Sequence, residues 1–169
     1  MHDPGISSTH NFHSCPPLKG FKAYQLERGV TAAVSFARRD LYQICLVTAT
    51  SRVCFQGEET VIDRNVLVFA PLNAVGSWES ITQAKRGYCC LFTEEFLSRH
   101  TRLKSFLLPP LFGLGDLAVY SLNGAQTKSL ALIFGQMLFA QDSDYVFKHE
   151  LMANCLYLLL HEVCKMQPS

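Results

Sequence analysis

The sequence predicts a mainly β domain followed by a C-terminal pair of helices. Short runs rich in β-branched and aromatic residues recur about every 8–12 residues as far as Phe92, a spacing typical of a sandwich or barrel. After Phe92 the apolar period lengthens to that of helices. With 169 residues, of which 49% are hydrophobic and 17% charged, the chain fits one well-packed domain and is not a disordered protein.

The β part is predicted within residues 21–122, after a polar arm at residues 1–20 that contains three prolines and shows no periodicity. Gly57-Glu58-Glu59 predicts the turn of a hairpin. An irregular apolar cover, broken by two prolines, is expected at Leu103–Phe112. The predicted strands are Phe21–Leu26, Val30–Phe36, Leu41–Thr48, Arg52–Gln56, Thr60–Asp63, Val66–Phe69, Tyr88–Phe92 and Leu117–Leu122.

Helix starts can be read from capping residues. Thr93 precedes two acidic residues and predicts a helix N-cap, because acidic side chains favour the first turn. Asn123 and Gln126 form a capping-box pattern that begins a helix ending near Phe139. Asp142 or Asp144 is expected to cap a second helix that ends near Lys165. The short link at Gln141–Asp144 predicts an antiparallel helical hairpin within residues 123–169.

The last helix has two apolar stripes, whereas a helix lying on a core usually needs one. The first stripe contains Met152, Leu156, Leu159 and Val163. The second contains Phe147, Leu151, Cys155 and Leu158, and we assign it to the interface of a homodimer. The pattern is equally consistent with a helix sandwiched between the β part and the preceding helix.

Charge and targeting signals restrict the function. The chain has 15 Lys and Arg against 14 Asp and Glu, a net charge of +1, and therefore lacks the basic excess of a domain that grips phosphates. The N-terminus lacks the features of a secretory signal. The longest apolar run, Cys155–Leu160, is too short to span a bilayer. We expect a cytoplasmic protein without membrane contact.

Nothing in the sequence predicts an enzyme, a metal site or a cofactor. The six histidines all lie outside the strand-rich stretch between Ser14 and Arg99, so the predicted barrel strands supply no imidazole ligands. No nucleophile-elbow, phosphate-loop or dinucleotide-binding motif is present. The seven cysteines show no CxxC spacing, and we expect them to be reduced thiols buried in the core.

A small-molecule pocket is the best-supported site in the β part, because its strands carry aromatic residues with polar tips and two arginines. Strand alternation places Tyr42 and Ile44 opposite Gln43 and Cys45, and the sequence leaves open which set faces inward. The single Trp can stack on a planar ligand or plug one end of the barrel. The predicted lining is Tyr24, Arg38, Tyr42, Phe69, Trp78 and Tyr88.

Several segments together resemble one protein family: Ala37–Ile44 (ARRDLYQI), Ile62-Asp63, Leu67–Pro71 (LVFAP), Ser77-Trp78 and Gly87–Phe96 (GYCCLFTEEF). The chain is similar, from about Phe21 to Val163, to the N-terminal cupin-like sensor domain of AraC-type bacterial transcription regulators. The resemblance implies a double-stranded β-helix barrel and a helical hairpin that often dimerises. DNA would be bound by a C-terminal helix-turn-helix domain that is absent from this chain.

The resemblance implies an effector-sensing and dimerisation domain with an unknown small-molecule effector. Many relatives carry histidines near Ala37, Arg39 and Gly76, and this sequence has none there, so no metal site is inherited. Two alternatives remain at this stage, a cupin-like enzyme and a purely structural dimerisation module. In the regulatory interpretation, the effector binds one arrangement of arm, barrel and helices better than another. It thereby changes the population of arrangements that the DNA-binding domain contacts.

Overall fold

The computed structural model of the chain describes residues 18–26, 34–35, 41–48, 51–55, 58–70, 76–80, 87–104 and 118–166. At residues 34–35, 51, 53, 55, 76–80, 101 and 104 it describes only the backbone. The predicted arm at residues 1–20 lies outside the described residues apart from its last three. Most of the cover predicted at Leu103–Phe112 lies outside them as well.

The β part contains two antiparallel sheets. In chain order the described strands are β1 (Phe21–Gln25), β2 (Val34–Ser35), β3 (Tyr42–Val47), β4 (Ser51–Phe55), β5 (Glu58–Ile62), β6 (Val66–Ala70), β7 (Gly76–Ser80), β8 (Gly87–Phe92) and β9 (Ala118–Ser121). The five-stranded sheet has the order β1-β8-β3-β6-β9, and the four-stranded sheet has the order β2-β7-β4-β5. The predicted fold class, a cupin-like barrel followed by helices, is confirmed.

The strand predictions differ from the structure in two places. Strand β7 was not predicted, because its sequence GSWES has neither an apolar run nor β-branched residues. In the hairpin of β4 and β5, Phe55 pairs with Glu58 and Cys54 with Glu59. Both glutamates therefore belong to strand β5, and the prediction that they form the turn is wrong.

The described residues form four helices. Helices α1 (Glu94–Ser98) and α2 (Thr101–Lys104) lie between β8 and β9, and helices α3 (Gly124–Gln141) and α4 (Lys148–Met166) follow β9. The predicted N-caps Thr93 and Asn123 are confirmed. The amide of Phe96 donates to Thr93 Oγ1 at 3.0 Å, and the amide of Gln126 donates to Asn123 Oδ1 at 2.8 Å. The side-chain oxygen of Gln126 accepts in return from the Asn123 amide at 2.9 Å, which completes the capping box.

The second helix of the hairpin begins later than predicted. Asp142 ends α3 as its C-cap, and α4 starts at Lys148, so neither Asp142 nor Asp144 caps α4. Ser143 explains the longer link, because its hydroxyl donates to the Ala140 carbonyl at 2.7 Å and accepts from the Tyr145 amide at 3.3 Å. These local bonds favour a turn over a helix start. Among the described residues, no helix has the length and hydropathy needed to cross a membrane.

The five-stranded sheet buries both of its faces. We call the side that packs on the helices the outer face. It carries Phe21, Ala23, Tyr42, Ile44, Leu46, Leu67, Phe69, Cys90 and Phe92. These residues form the larger core together with Phe96, Leu130, Phe134, Met137 and the buried apolar residues of α4. The inner face is the opposite side and forms a smaller cluster with Ile62 of β5; it carries Leu26, Cys45, Val47, Val66, Val68, Ala70 and Cys89, with Tyr24 packed against them. This division follows the period-2 alternation of strands.

Gly87 has a backbone requirement at the start of β8. Its φ of 145° is a conformation that L side chains rarely adopt, and a Cβ there would clash with the carbonyl oxygen of Leu46 on the neighbouring strand. The glycine thus allows β8 to pair closely with β3, and this pairing places Cys89 beside Cys45.

The free edge of β1 is covered by one side chain of α3. Gln141 accepts a hydrogen bond from the amide of Ala23 and donates one to its carbonyl, both at 2.7 Å. The amide group thus replaces a neighbouring strand at an edge that would otherwise offer unpaired backbone groups. Nearby, the amide of Lys19 donates to His149 Nε2 of α4 at 3.1 Å. Both hairpin helices are therefore bonded to the segment that contains β1.

We expect Gln141→Ala to lower the free energy of unfolding by about 1–2 kcal/mol, because it leaves two partly buried backbone groups without their partner. Urea unfolding followed by circular dichroism measures this loss. Gln141→Glu is the graded control, since it keeps an acceptor for the Ala23 amide but no longer donates to the carbonyl. Equal stability of the wild type, Gln141→Ala and Gln141→Glu would show that the two hydrogen bonds contribute nothing to the free energy of unfolding.

Candidate ligand-binding site

The inner face of the five-stranded sheet is the candidate site. One row of paired residues crosses it, in which Tyr24 of β1 lies opposite Cys89 of β8, Cys89 opposite Cys45 of β3, and Cys45 opposite Val68 of β6. Gln43 lies two residues before Cys45 and therefore points to the same side of the sheet. The buried and half-buried residues of this face are apolar except for Tyr24, with its phenol, and Gln43, with its amide. The exposed Lys22 of β1 and Ser121 of β9 lie on the same side of the sheet.

Gln43 is a buried polar residue with 6% of its surface exposed. Its Nε2 donates to the sulfur of Cys45 at 3.5 Å, and sulfur is a weak acceptor. A buried amide with so weak a partner is suited to a stronger hydrogen bond from a ligand oxygen. Gln43 was not among the predicted lining residues, although the alternation of β3 placed it opposite Tyr42.

Tyr24 is half-buried beside these residues. Burial, and secondly the nearby Cys90 thiol, raise the pKa of the Tyr24 phenol above its usual value of 10.0. The phenol therefore stays protonated at neutral pH and offers a hydrogen-bond donor. An apolar surface with one phenol and one amide has the composition of a small-molecule site that orients a mainly apolar ligand.

The same face contains a disulfide between Cys45 and Cys89. The prediction that the cysteines are reduced thiols is therefore wrong for this pair. The pairing of β3 with β8 places the two residues directly opposite each other, with Cα atoms 4.2 Å apart. Cys54, Cys90, Cys155 and Cys164 are free thiols, and Cys15 lies outside the described residues.

The predicted lining residues are divided between the two sides of the sheet. Tyr24 is on the inner face, whereas Tyr42 and Phe69 are buried on the outer face. Tyr88 is also on the outer face and stacks on Phe134 of α3, with ring centroids 5.6 Å apart. Arg38 lies outside the described residues, and of Trp78 only the backbone is described.

The four residues predicted for a dimer interface have different surroundings. Phe147 and Leu158 are 57% and 51% exposed, and Leu151 is partly buried. Cys155 is 1% exposed and lies 3.9 Å from Gln136 Oε1 of α3, so it belongs to the contact between the two helices. The first stripe of the same helix, Met152, Leu156, Leu159 and Val163, is completely buried.

Two clefts formed by described residues lie away from this face. One of about 250 Å³ is lined by Arg99, His100, Arg102, Leu103, Glu150, Ala153, Asn154 and Tyr157. The other, of about 750 Å³, lies along α3. In the part of the chain that the structure describes, no group of three His, Cys, Asp or Glu side chains is placed to hold a metal ion.

Neither a protein-family model nor a curated protein matches the sequence. Solved structures of ToxT from Vibrio cholerae do match. Apo ToxT K231A aligns with a TM-score of 0.57 at 13% identity over 87% of this chain and 55% of its own. Unsaturated fatty acid bound wild-type ToxT aligns with a TM-score of 0.55 at 15% identity over 89% of this chain and 56% of its own.

At these identities the likeness concerns the fold, and the chain spans only about 55% of the length of ToxT. The aligned part includes both the strands and the hairpin, since it covers nearly nine-tenths of this chain. The chain therefore has the fold of the N-terminal domain of ToxT, an AraC-family regulator, which is the fold that the sequence resemblance implied.

Proposed function

We propose that the chain is the effector-sensing and dimerisation domain of an AraC-type transcription regulator. The observation that carries the proposal is the five-stranded sheet with two buried faces: one is mainly apolar with a phenol and an amide, and the other is packed on a helical hairpin. DNA contact is assigned to another domain of the full-length regulator, because a net charge of +1 provides no phosphate-binding excess here. No catalytic role is proposed.

The strand β1 links the two halves of this proposal. Tyr24 is directed to the inner face, while the backbone of the adjacent Ala23 is bonded to Gln141 at the end of α3. A ligand that displaces Tyr24 thus acts on the strand that holds the hairpin. An effector that binds one arrangement of β1 and α3 better than another raises the population of that arrangement. Because α3 belongs to the hairpin, the position of the hairpin changes, and with it the geometry of a dimer.

The proposed effector is a mainly apolar molecule with one acidic or polar group. Its apolar body would contact the valines of the inner face, and its polar group would bond with Tyr24 and Gln43. ToxT has been crystallised with an unsaturated fatty acid bound, which makes oleate a suitable probe for this chain. Stearate is the matched saturated control.

Calorimetric titration with oleate tests the effector proposal. We expect Tyr24→Phe to raise the dissociation constant about 3–10-fold, the loss of one hydrogen bond of about 0.5–1.5 kcal/mol. Tyr88→Phe is the control, because Tyr88 lies on the outer face of the same sheet. Weaker oleate binding in Tyr88→Phe alone would show that the ligand binds on the outer face, beside the helices. Absence of oleate binding by the wild type would contradict this effector class.

A chain that forms dimers and binds none of these apolar acids would be a purely structural dimerisation module. Sedimentation velocity at several protein concentrations separates the two parts of the proposal, because it measures dimerisation without any ligand. A chain that stays monomeric at high concentration would contradict the dimerisation part.

A further inference from the structure

We infer that the smaller of the two clefts formed by described residues binds a free α-amino acid with a short apolar side chain. This α4 cleft lies between α4 and the turn that joins α1 to α2, and its polar lining includes Arg99, Arg102, Glu150 and Asn154. Its volume of about 250 Å³ equals that of about eight water molecules at about 30 Å³ each, which is room for one molecule of the size of leucine. The α4 cleft shares no residue with the inner face of the five-stranded sheet and is therefore a second site beside the one in the proposed function.

The turn between α1 and α2 supplies two guanidinium groups from a fixed backbone. The amide of His100 donates to the Leu97 carbonyl at 3.1 Å, and the amide of Leu103 donates to the His100 carbonyl at 2.9 Å. Leu97 and Leu103 are completely buried, so they anchor the turn in the core. Arg99 and Arg102 extend from this turn into the α4 cleft, and guanidinium groups are well suited to bind a carboxylate.

Both arginines have a contact that orders the side chain before any ligand binds. Arg99 donates to Glu95 Oε1 at 2.6 Å, one turn earlier in the chain, and a guanidinium with five N–H donors keeps others for a ligand. The guanidinium carbon of Arg102 lies over the ring of Tyr157 of α4, 5.9 Å from its centre. Side chains that are already ordered lose less entropy on binding, which favours affinity.

The opposite charge comes from α4. Glu150, Asn154 and Tyr157 follow one another at spacings of four and three residues and therefore share one side of the helix. Among the residues that the structure describes, no ion pair joins Glu150 to Arg99 or Arg102, and no hydrogen bond involves the side chain of Asn154. A cleft that holds both charges without joining them fits a ligand that carries both.

His100 does not neutralise Glu150. Burial is the main cause that lowers the pKa of the His100 imidazole, and it outweighs the opposite effect of Glu150, while His149 and Arg99 lower the pKa further. The imidazole is therefore neutral at neutral pH. The carboxylate of Glu150 remains for the ammonium group of a ligand.

The apolar part of the lining selects the side chain of the ligand. Leu103 and Ala153 are both buried and border the α4 cleft between its charged groups. An α-amino acid carries a carboxylate, an ammonium group and a side chain on one carbon atom, and the cleft offers guanidinium, carboxylate and apolar surface to match the three. A simple acid would leave Glu150 beside a second carboxylate, and a simple amine would leave the arginines without an anion.

Titration of the 169-residue chain with L-leucine, L-valine and L-methionine, followed by nuclear magnetic resonance, tests the inference. The matched probes are isocaproate, which is leucine without its amino group, and isoamylamine, which is leucine without its carboxylate. We expect leucine to bind about tenfold or more tightly than either probe, because each probe loses one charged hydrogen-bonding group. Absence of binding by all three amino acids would overturn the site. Equal affinities for leucine and isocaproate would overturn the recognition of an amino acid.

Variants at exposed positions assign each charge. Glu150→Gln should weaken leucine binding about tenfold or more and remove the advantage of leucine over isocaproate. Arg102→Gln should weaken leucine binding similarly and remove its advantage over isoamylamine. Glu162→Gln is the matched control, because it removes a carboxylate of α4 that pairs with Lys165 outside the cleft. Unchanged leucine affinity in both Glu150→Gln and Arg102→Gln, at unchanged melting temperature, would overturn the assignment.

Titration of the same variants with oleate separates this site from the inner face. Glu150→Gln and Arg102→Gln should bind oleate as the wild type does, and Tyr24→Phe should bind leucine as the wild type does. Failure of oleate alone would contradict the effector class of the proposed function and leave the α4 cleft supported by leucine binding. Loss of both ligands in one variant of normal melting temperature would show a single site and overturn the second one.

Discussion

Phe134→Ala is expected to lower the free energy of unfolding by about 3–5 kcal/mol, the range observed when a large aromatic side chain is removed from a core. Phe134 lies in the middle of α3, is completely buried and stacks on Tyr88 of β8 with an interplanar angle of 9°. It thus connects the hairpin to the five-stranded sheet. Since domains are stable by only about 5–15 kcal/mol, the packing of this one side chain accounts for a large share of the stability.

Guanidinium unfolding at low protein concentration measures the effect. Phe147→Ala is the matched control: the same atoms are removed from a residue that is 57% exposed, and the expected cost is well below 1 kcal/mol. Should Phe134→Ala prove too unstable to show a transition, Phe134→Leu provides a milder cavity in the same place. Similar costs for Phe134→Ala and Phe147→Ala would contradict the packing described for α3.

Local signals in the sequence correctly predicted the starts of α1 and α3. Thr93 and Asn123 act as N-caps because a capping bond joins residues two or three positions apart, so a short stretch of sequence contains the whole interaction. The start of α4 was predicted wrongly for a related reason. Asp142 and Asp144 have the right chemistry for a cap, but Ser143 uses the local backbone bonds for a turn instead.

The candidate site depends on long-range strand pairing, which local sequence patterns do not predict. Alternation in β3 separated Tyr42 from Gln43 without telling which one faces inward, since both sides of this strand are buried. Only the order of strands and the position of α3 place Tyr42 among the helices. Cys45 and Cys89 become neighbours through the register of β3 and β8, and Ala23 meets Gln141 across 118 residues.

Reduction of the Cys45–Cys89 disulfide is the second large effect that we expect. The bond joins residues 44 positions apart, and cross-links of this kind usually stabilise a domain by about 2–4 kcal/mol, mainly by restricting the unfolded chain. Chemical unfolding of the wild type with and without dithiothreitol should therefore differ by this amount. The double variant Cys45→Ala, Cys89→Ala should be less stable and insensitive to the reductant.

Cys54→Ala is the control for this comparison. Cys54 is a free, partly buried thiol on β4, so its removal should leave the response to dithiothreitol unchanged. Alkylation of the denatured, unreduced protein followed by peptide mass spectrometry identifies the bonded residues directly. Cys45 and Cys89 should stay unlabelled until reduction. Labelling of both before reduction, together with equal stability in both conditions, would contradict the bond.

The rate of reduction in the folded protein should be slow. Thiol exchange requires a thiolate to reach a sulfur atom, and Cys45 and Cys89 are 2% and 0% exposed. The neighbouring Cys90 does not provide an internal nucleophile: burial raises the pKa of its thiol well above its usual range, and its side chain belongs to the outer face. Reduction thus requires opening of the sheet, so even in a reducing compartment the bond should persist for as long as β3 and β8 stay paired. Mild denaturant should then accelerate reduction in proportion to the population of the opened state.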